Sequence, residues 1–171
     1  MVTEPQFQLT TRDHAILQAM YDQHRGPHGP YKRLLDQKLR ASAIAFSNDI
    51  PPGVITLDSR VAYRIDGVPA GPHVLVQGKS AGEDLSIETI LGLALLGLSE
   101  GTTVTVDLGD GVTQQLHVES VLSQPEAQAR ARRNANSPAS SEPGAVLRFR
   151  PRAPAARQPE PEDDDPGPHA A

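Results

Sequence analysis

The chain has no cysteine and no tryptophan, and only three phenylalanines and three tyrosines in 171 residues. Without cysteine there is no disulfide, no thiolate nucleophile and no thiolate metal ligand, so a zinc site would need histidine and carboxylate alone. No apolar run approaches the ~20 residues that a membrane-spanning helix requires. The opening Met1-Val2-Thr3-Glu4-Pro5 lacks the basic start and apolar stretch of a secretory signal, so the expected location is the cytoplasm, away from any membrane. An excess of positive charge is also missing. Sixteen Lys and Arg face 21 Asp and Glu, a formal net charge of -5. Tight non-specific binding of nucleic acid needs basic surface that displaces counterions, so no strong direct nucleic-acid binding is expected.

The charge that is present is unevenly placed. Between residues 51 and 125 nine acids, Glu88, Glu100 and Asp107 among them, stand against Arg60, Arg64 and Lys79. That acidic centre suits a basic protein surface better than DNA. The residues before it read as two helices. Thr10 or Thr11 can cap the first, with Asp13 in its first turn and Ile16, Leu17, Met20 and Tyr21 on one stripe. Arg25-Gly26-Pro27-His28-Gly29-Pro30 breaks it near His24. The second helix starts at Tyr31, after Pro30, and puts Leu34, Leu35, Leu39 and then Ser42 and Ile44 on one side. The expectation is a short N-terminal antiparallel helical hairpin over 9–47, after a flexible stretch 1–8.

From residue 48 to 125 the pattern is that of an α+β domain. Strands are expected at Val54 to Leu57, Arg60 to Ile65, His73 to Gly78 and Leu85 to Ile87. A stubby apolar helix, Thr89 to Leu98, ends at glycine. A closing hairpin, Thr103 to Leu108 with Gln114 to Val121, turns at Gly109-Asp110-Gly111. From 126 to 171 Ala, Pro, Arg, Ser and acid dominate. Such a composition buries too little apolar surface to offset its ordering entropy, so a disordered tail is expected, with Ala129 to Ala135 able to fray as helix. Ala145-Val146-Leu147-Arg148-Phe149-Arg150 is an apolar-basic island in that tail, read as a chance cluster rather than a docking motif.

Several stretches resemble one family. Leu93-Ala94-Leu95-Leu96-Gly97-Leu98-Ser99-Glu100-Gly101 is similar to the helix-turn of the C-terminal domain of the Gre transcript-cleavage factors. The closer resemblance is to the Rnk family, regulators of nucleoside diphosphate kinase. It is carried also by Leu9-Thr10-Thr11-Arg12-Asp13-His14, by Pro51-Pro52-Gly53-Val54-Ile55-Thr56-Leu57-Asp58-Ser59-Arg60-Val61, and by Leu122-Ser123-Gln124-Pro125-Glu126-Ala127. The four blocks span residues 9–127 in family order. The family often has Pro where Ile90 stands and Asp where Thr102 stands, and the long tail is not general in it. The resemblance implies an FKBP-like fold for 48–125. It also implies a monomeric, non-enzymatic transcription regulator that binds RNA polymerase near the secondary channel and competes with cleavage and stress factors. An indirect or direct regulator of nucleoside diphosphate kinase levels is the alternative.

The chemical inventory agrees with a binding role. Gre factors carry paired acids at a long coiled-coil tip, where they position a metal. Here the tip reads Asp22-Gln23-His24-Arg25-Gly26-Pro27-His28, with no second acid beside Asp22, and one carboxylate holds Mg²⁺ poorly. A 13-residue helix is only ~20 Å long and cannot thread a deep channel. His24 and His28 flank a Gly-Pro turn and need not share a face. No Ser, His and acid arrangement is suggested. No cofactor, metal or catalytic residue is expected, and with Tyr63 the only aromatic inside 48–125, prolyl isomerase activity is disfavoured. Leu98, Ser99, Glu100 and Gly101, with Glu88 and Asp107, are the candidate polymerase contact. Leu98 admits two readings, an exposed apolar anchor or a seal closing the helix end against the sheet.

Overall fold

Proline and glycine punctuate the chain where its elements change direction, and the computed structural model, which describes residues 6–136, follows that punctuation. Strand β1 (Gln8–Thr10) leads into helix α1 (Thr11–Gln23), and helix α2 (Pro30–Ala41) leads into strand β2 (Ala43–Ala45). Thr10 caps α1, its Oγ1 accepting from the Asp13 amide at 3.0 Å. Pro30 opens α2, where its missing N–H costs nothing. The two helices pack together around the 24–29 turn, with the Lys32 ammonium 5.3 Å from the Tyr21 ring centroid. β1 and β2 pair in parallel, Leu9 opposite Ile44, and tie the two ends of the helix pair together.

Then come strands β3 (Arg60–Ile65), β4 (Val68–Pro69), β5 (His73–Val76) and β6 (Asp84–Ser86), helix α3 (Ile90–Leu95), strands β7 (Thr103–Gly109) and β8 (Val112–Ser123), and helix α4 (Pro125–Asn136). The sheet order is β6-β5-β3-β8-β7, with β4 beside β3. The β5–β6 pairing is parallel and the rest are antiparallel. Period-2 alternation turns Val61, Tyr63, Leu75, Val104, Val106, Leu116 and Val118 inward, where they join Leu93, Leu95, Leu96 and Leu98 and, from the N-terminal elements, Phe7, Leu9, Leu17 and Leu35. One core thus serves both halves. All the described residues fall within one compact body.

Four expectations need correction. Val54 to Leu57 makes no strand, only a single bridge from Val54 to Ser99, because Asp58 takes a left-handed φ of 65° and Ser59 Oγ turns back to the Thr56 amide. Its apolar residues report burial rather than a sheet. Second, α2 stops at Ala41, and Ile44 lies in β2, exposed rather than on a helix face. Third, β1 begins inside the expected flexible start and β2 takes up the end of the expected hairpin, both too short to read from alternation. Fourth, Glu126 to Asn136 is helical where a disordered tail was expected, so the helix allowed at Ala129 to Ala135 forms and begins earlier. Pro125 starts this helix and Glu126 lies in its first turn, a helix-start signal masked by the polar and proline-rich composition of the tail as a whole. The stretch 1–5, the tail 137–171 and its 145–150 island lie outside the described residues.

Lys38 sits in the apolar stripe of α2 and is fully buried. Its ammonium donates to Ala94 O at 3.0 Å and to Leu96 O, and lies 3.9 Å from the centroid of the Phe7 ring. Burial pulls its pKa well below the ordinary lysine value. The carbonyls it reaches are those a helix leaves unpaired at its C-terminal end. Lys38→Met should therefore lower unfolding free energy by about 2 kcal/mol in urea titrations, because buried carbonyls lose their donor. A Met variant as stable as the parent would show that burying the ammonium costs as much as its bonds return.

Candidate functional site

The helix-turn from Thr89 to Gly101 is held from both ends. Thr89 caps α3: its Oγ1 accepts from the Gly92 amide at 3.1 Å and donates to Ser86 O at 2.7 Å. Gly92 is required where it stands, because a Cβ there would lie 2.0 Å from Ser86 O. At the other end Gly97 takes a φ of 80°, the expected left-handed helix stop. Its amide donates to Ile55 O at 2.8 Å, its carbonyl accepts from the Gln8 amide at 2.9 Å, and the Ile55 amide donates to Leu98 O at 2.9 Å. The turn is thus clamped between β1 and the segment around Ile55.

The six candidate contact residues do not form one patch. Leu98 is wholly buried in the core. The exposed-anchor reading is corrected, and the sealing reading describes it, since the clamp leaves its side chain no route outward. Ser99 is half-buried and bridges Val54. Glu100 is exposed, but its Oε1 accepts from the Val121 amide at 2.6 Å, so it fastens the turn to β8. Gly101 is exposed, with a φ of 76°, and donates to Val118 O. Asp107 meets the Arg33 guanidinium at 2.9 Å, across a cleft of about 270 Å³ between α2 and β7. Glu88 is exposed and has no ion-pair partner among the described residues.

Glu88 instead meets the other candidate region. A cleft of about 450 Å³ is lined by Met20, Gln23, His24, Tyr31, Glu88 and Ile90. Tyr31 forms part of the wall, its hydroxyl donating to Ile87 O at 2.9 Å, and its pKa is pushed up to about 12 by burial and by Glu88. The His24 ring lies 5.8 Å from that of Tyr31. So His24 and Glu88, 64 positions apart, share one concave surface. Asp22 points elsewhere: it is exposed and accepts from Gln18 Nε2 at 3.1 Å, one turn back on α1. Arg25 and His28 are exposed. Among the described residues no group of three or more His, Cys, Asp or Glu is placed to hold a metal ion. Tyr63, buried, bonds His73 Nδ1 at 3.0 Å rather than lining a cleft.

A buried polar joint escaped the sequence reading. Asp13 Oδ2 accepts from the Leu57 amide at 3.4 Å. Glu126 Oε2 accepts from Thr56 Oγ1 at 2.7 Å, and Thr56 Oγ1 lies 3.0 Å from Ser59 Oγ. Gln124 Nε2 donates to Pro51 O and Val54 O, at 2.9 and 2.7 Å. Burial pushes the Asp13 carboxyl up to about 6; bonds from Thr10 and Leu57 oppose that shift, Glu126 adds to it and Arg12 opposes it. The signals were present: a lysine between Leu35 and Leu39 on an apolar face, and Pro125-Glu126 opening a helix.

No family model matches the chain, and no curated protein matches it. Among solved structures, one described as a prokaryotic transcription elongation factor GreA/GreB from Nitrosomonas europaea is similar, with a TM-score of 0.53 and 24% identity over 69% of this chain and 98% of that chain. Gfh1 from Thermus thermophilus, described as a GreA factor homolog, is 14% identical with a TM-score of 0.32, over 68% of this chain and 98% of its own. Gfh1 from Thermus aquaticus is 15% identical with a TM-score of 0.31, over 68% and 97%. The fold is therefore a mixed α+β fold similar to that of a transcription elongation factor. No described helix is long and apolar enough to cross a membrane.

Leu98→Ala should cost about 3 kcal/mol of stability, as a fully buried leucine truncation does. A variant that melts like the parent would return Leu98 to the surface.

Proposed function

We propose that this protein is a non-enzymatic regulator of the Rnk type that binds RNA polymerase near the mouth of its secondary channel. There it excludes cleavage and stress factors without supplying their chemistry. The observation that carries this reading is a fold similar to a GreA/GreB structure over nearly all of that chain, joined to a helix-pair tip whose one acid, Asp22, is turned toward Gln18. In this reading α1 and α2 form a short antiparallel hairpin. The sheet with α3 forms an FKBP-like domain that docks as a cytoplasmic monomer. A single tip carboxylate gives a metal too few oxygen ligands, so the tip occupies space and leaves the transcript intact.

The docking surface is centred on Glu88. Asp107 is neutralised by Arg33, and Glu100 is engaged with a backbone amide, so each has less charge to offer a partner. Glu88, with no ion-pair partner among the described residues, stands beside the half-buried Tyr31, Met20 and Ile90, an acidic rim on a partly apolar cleft. Such a rim suits an arginine or lysine of a basic protein surface, with its stem on the apolar wall and the cation near the Tyr31 ring. His24 borders the cleft from the tip of the helix pair.

Two experiments test this. Glu88→Lys should weaken binding to purified polymerase roughly tenfold and flatten its salt dependence, while the melting temperature stays close to the parent's. Unchanged binding in a folded Glu88→Lys protein would remove the cleft from the interface. In backtracked transcription complexes with Mg²⁺, the protein should add no transcript cleavage. Cleavage that appears and is then lost in Asp22→Ala would make it an enzyme after all.

A further inference from the structure

We propose that Asp13 is a proton-operated latch: it holds a proton in the closed state, beside Glu126, and losing it loosens α4 from the turn at Thr56–Ser59. The geometry carries this independently of any polymerase. Asp13 at the start of α1 and Glu126 at the start of α4 approach the same turn, one on the Leu57 amide and the other on the Thr56 hydroxyl. Asp13 is 1% exposed and Glu126 9%. Asp13 Oδ2 has a single long bond to the turn, and Oδ1 is buried with no partner. An ionised Asp13 would leave that oxygen charged, unsolvated and near a second buried carboxylate, an arrangement that favours the protonated form of Asp13.

Two charges act on the Asp13 carboxyl, Glu126 favouring its proton and Arg12 opposing it, and the Arg12 guanidinium also lies 3.4 Å from Asp58 Oδ2. With the Asp13 carboxyl raised from 3.8 to about 6, closure is favoured in full below the lower value. It weakens as pH rises through the upper one. The ceiling, reached when opening fully solvates Asp13, is on the order of 100-fold in the ratio of closed to open forms. Opening has a defined consequence. Arg130 on α4 donates to Ser47 O and Asn48 O, at 3.2 and 3.1 Å, and Arg133 reaches Asn48 Oδ1. A loosened α4 therefore releases the segment beside Phe46, whose ring is already 70% exposed.

The test is amide hydrogen exchange by NMR on the full chain, read as protection factors so that intrinsic pH effects cancel. From about pH 4.5 to about pH 7.5, protection of α4 amides such as Gln128 should fall at least tenfold relative to β3 and β8. Asp13→Asn, which mimics the neutral acid, should hold α4 protection constant across that range. Glu126→Gln removes the neighbouring charge and should move the transition to lower pH, and it decides the matter alone if Asp13→Asn fails to fold. Flat α4 protection in the parent, persistent pH dependence in Asp13→Asn, or an unmoved transition in Glu126→Gln would each overturn the latch.

Discussion

The end of a six-residue helix sets the architecture. α3 is too short to stand alone, and its last carbonyls point into the protein rather than toward water, so a donor must come from elsewhere in the chain. Lys38 provides it, and in doing so crosses from the helix pair into the sheet-bearing half. An uncompensated ammonium could not be buried so deeply, and uncompensated carbonyls could not either. Each makes the other tolerable. Phe7 closes over the ammonium from the residue before β1, which places the chain's first described residues in the same bond network.

The position of the cleft depends on that crossing. With α2 pinned to the end of α3 through Lys38, the first turn of α2 falls against Ile87 through Tyr31 and against Asp107 through Arg33. The tip of the helix pair is thereby laid beside the start of α3, and His24 comes to face the same hollow as Glu88. No local feature of either segment specifies this meeting. It is a consequence of one buried lysine 14 residues beyond the histidine.

What could be read in advance divides along physical lines. β3 was legible to the residue, and β7 and β8 nearly so, because alternation over six or more positions is a strong local signal and Asp66-Gly67 and Asp110-Gly111 take the positive φ their turns require. The cap of α1 was legible to one of two threonines, and the start of α2 to within one residue, for the same local reasons. β1 and β2 were not, since three residues carry no period and their pairing spans the whole helix pair. The site was less legible than the fold. Leu98 looked available because its neighbours are glycine and serine. Whether a residue beside a turn is exposed depends on what packs over it, here β1 and the segment around Ile55, and sequence spacing does not report that.

The blocks behind the family resemblance are themselves informative once placed. Thr10 and Asp13 come from the first, Thr56 and Ser59 from the second, and Gln124 and Glu126 from the last, and all are buried in the same joint. The remaining block supplies the carbonyls of Ala94 and Leu96 to Lys38. These are residues that hold segments together. Polar side chains at such joints are constrained in identity, because each must supply a particular donor or acceptor out of reach of water. A resemblance built on them transfers architecture with some force and transfers binding surface weakly. The solved structure with the same kind of fold stands at 24% identity, where architecture is what a likeness carries. Among the described residues outside the blocks, Tyr31, His24 and the exposed Glu88 meet on one concave surface.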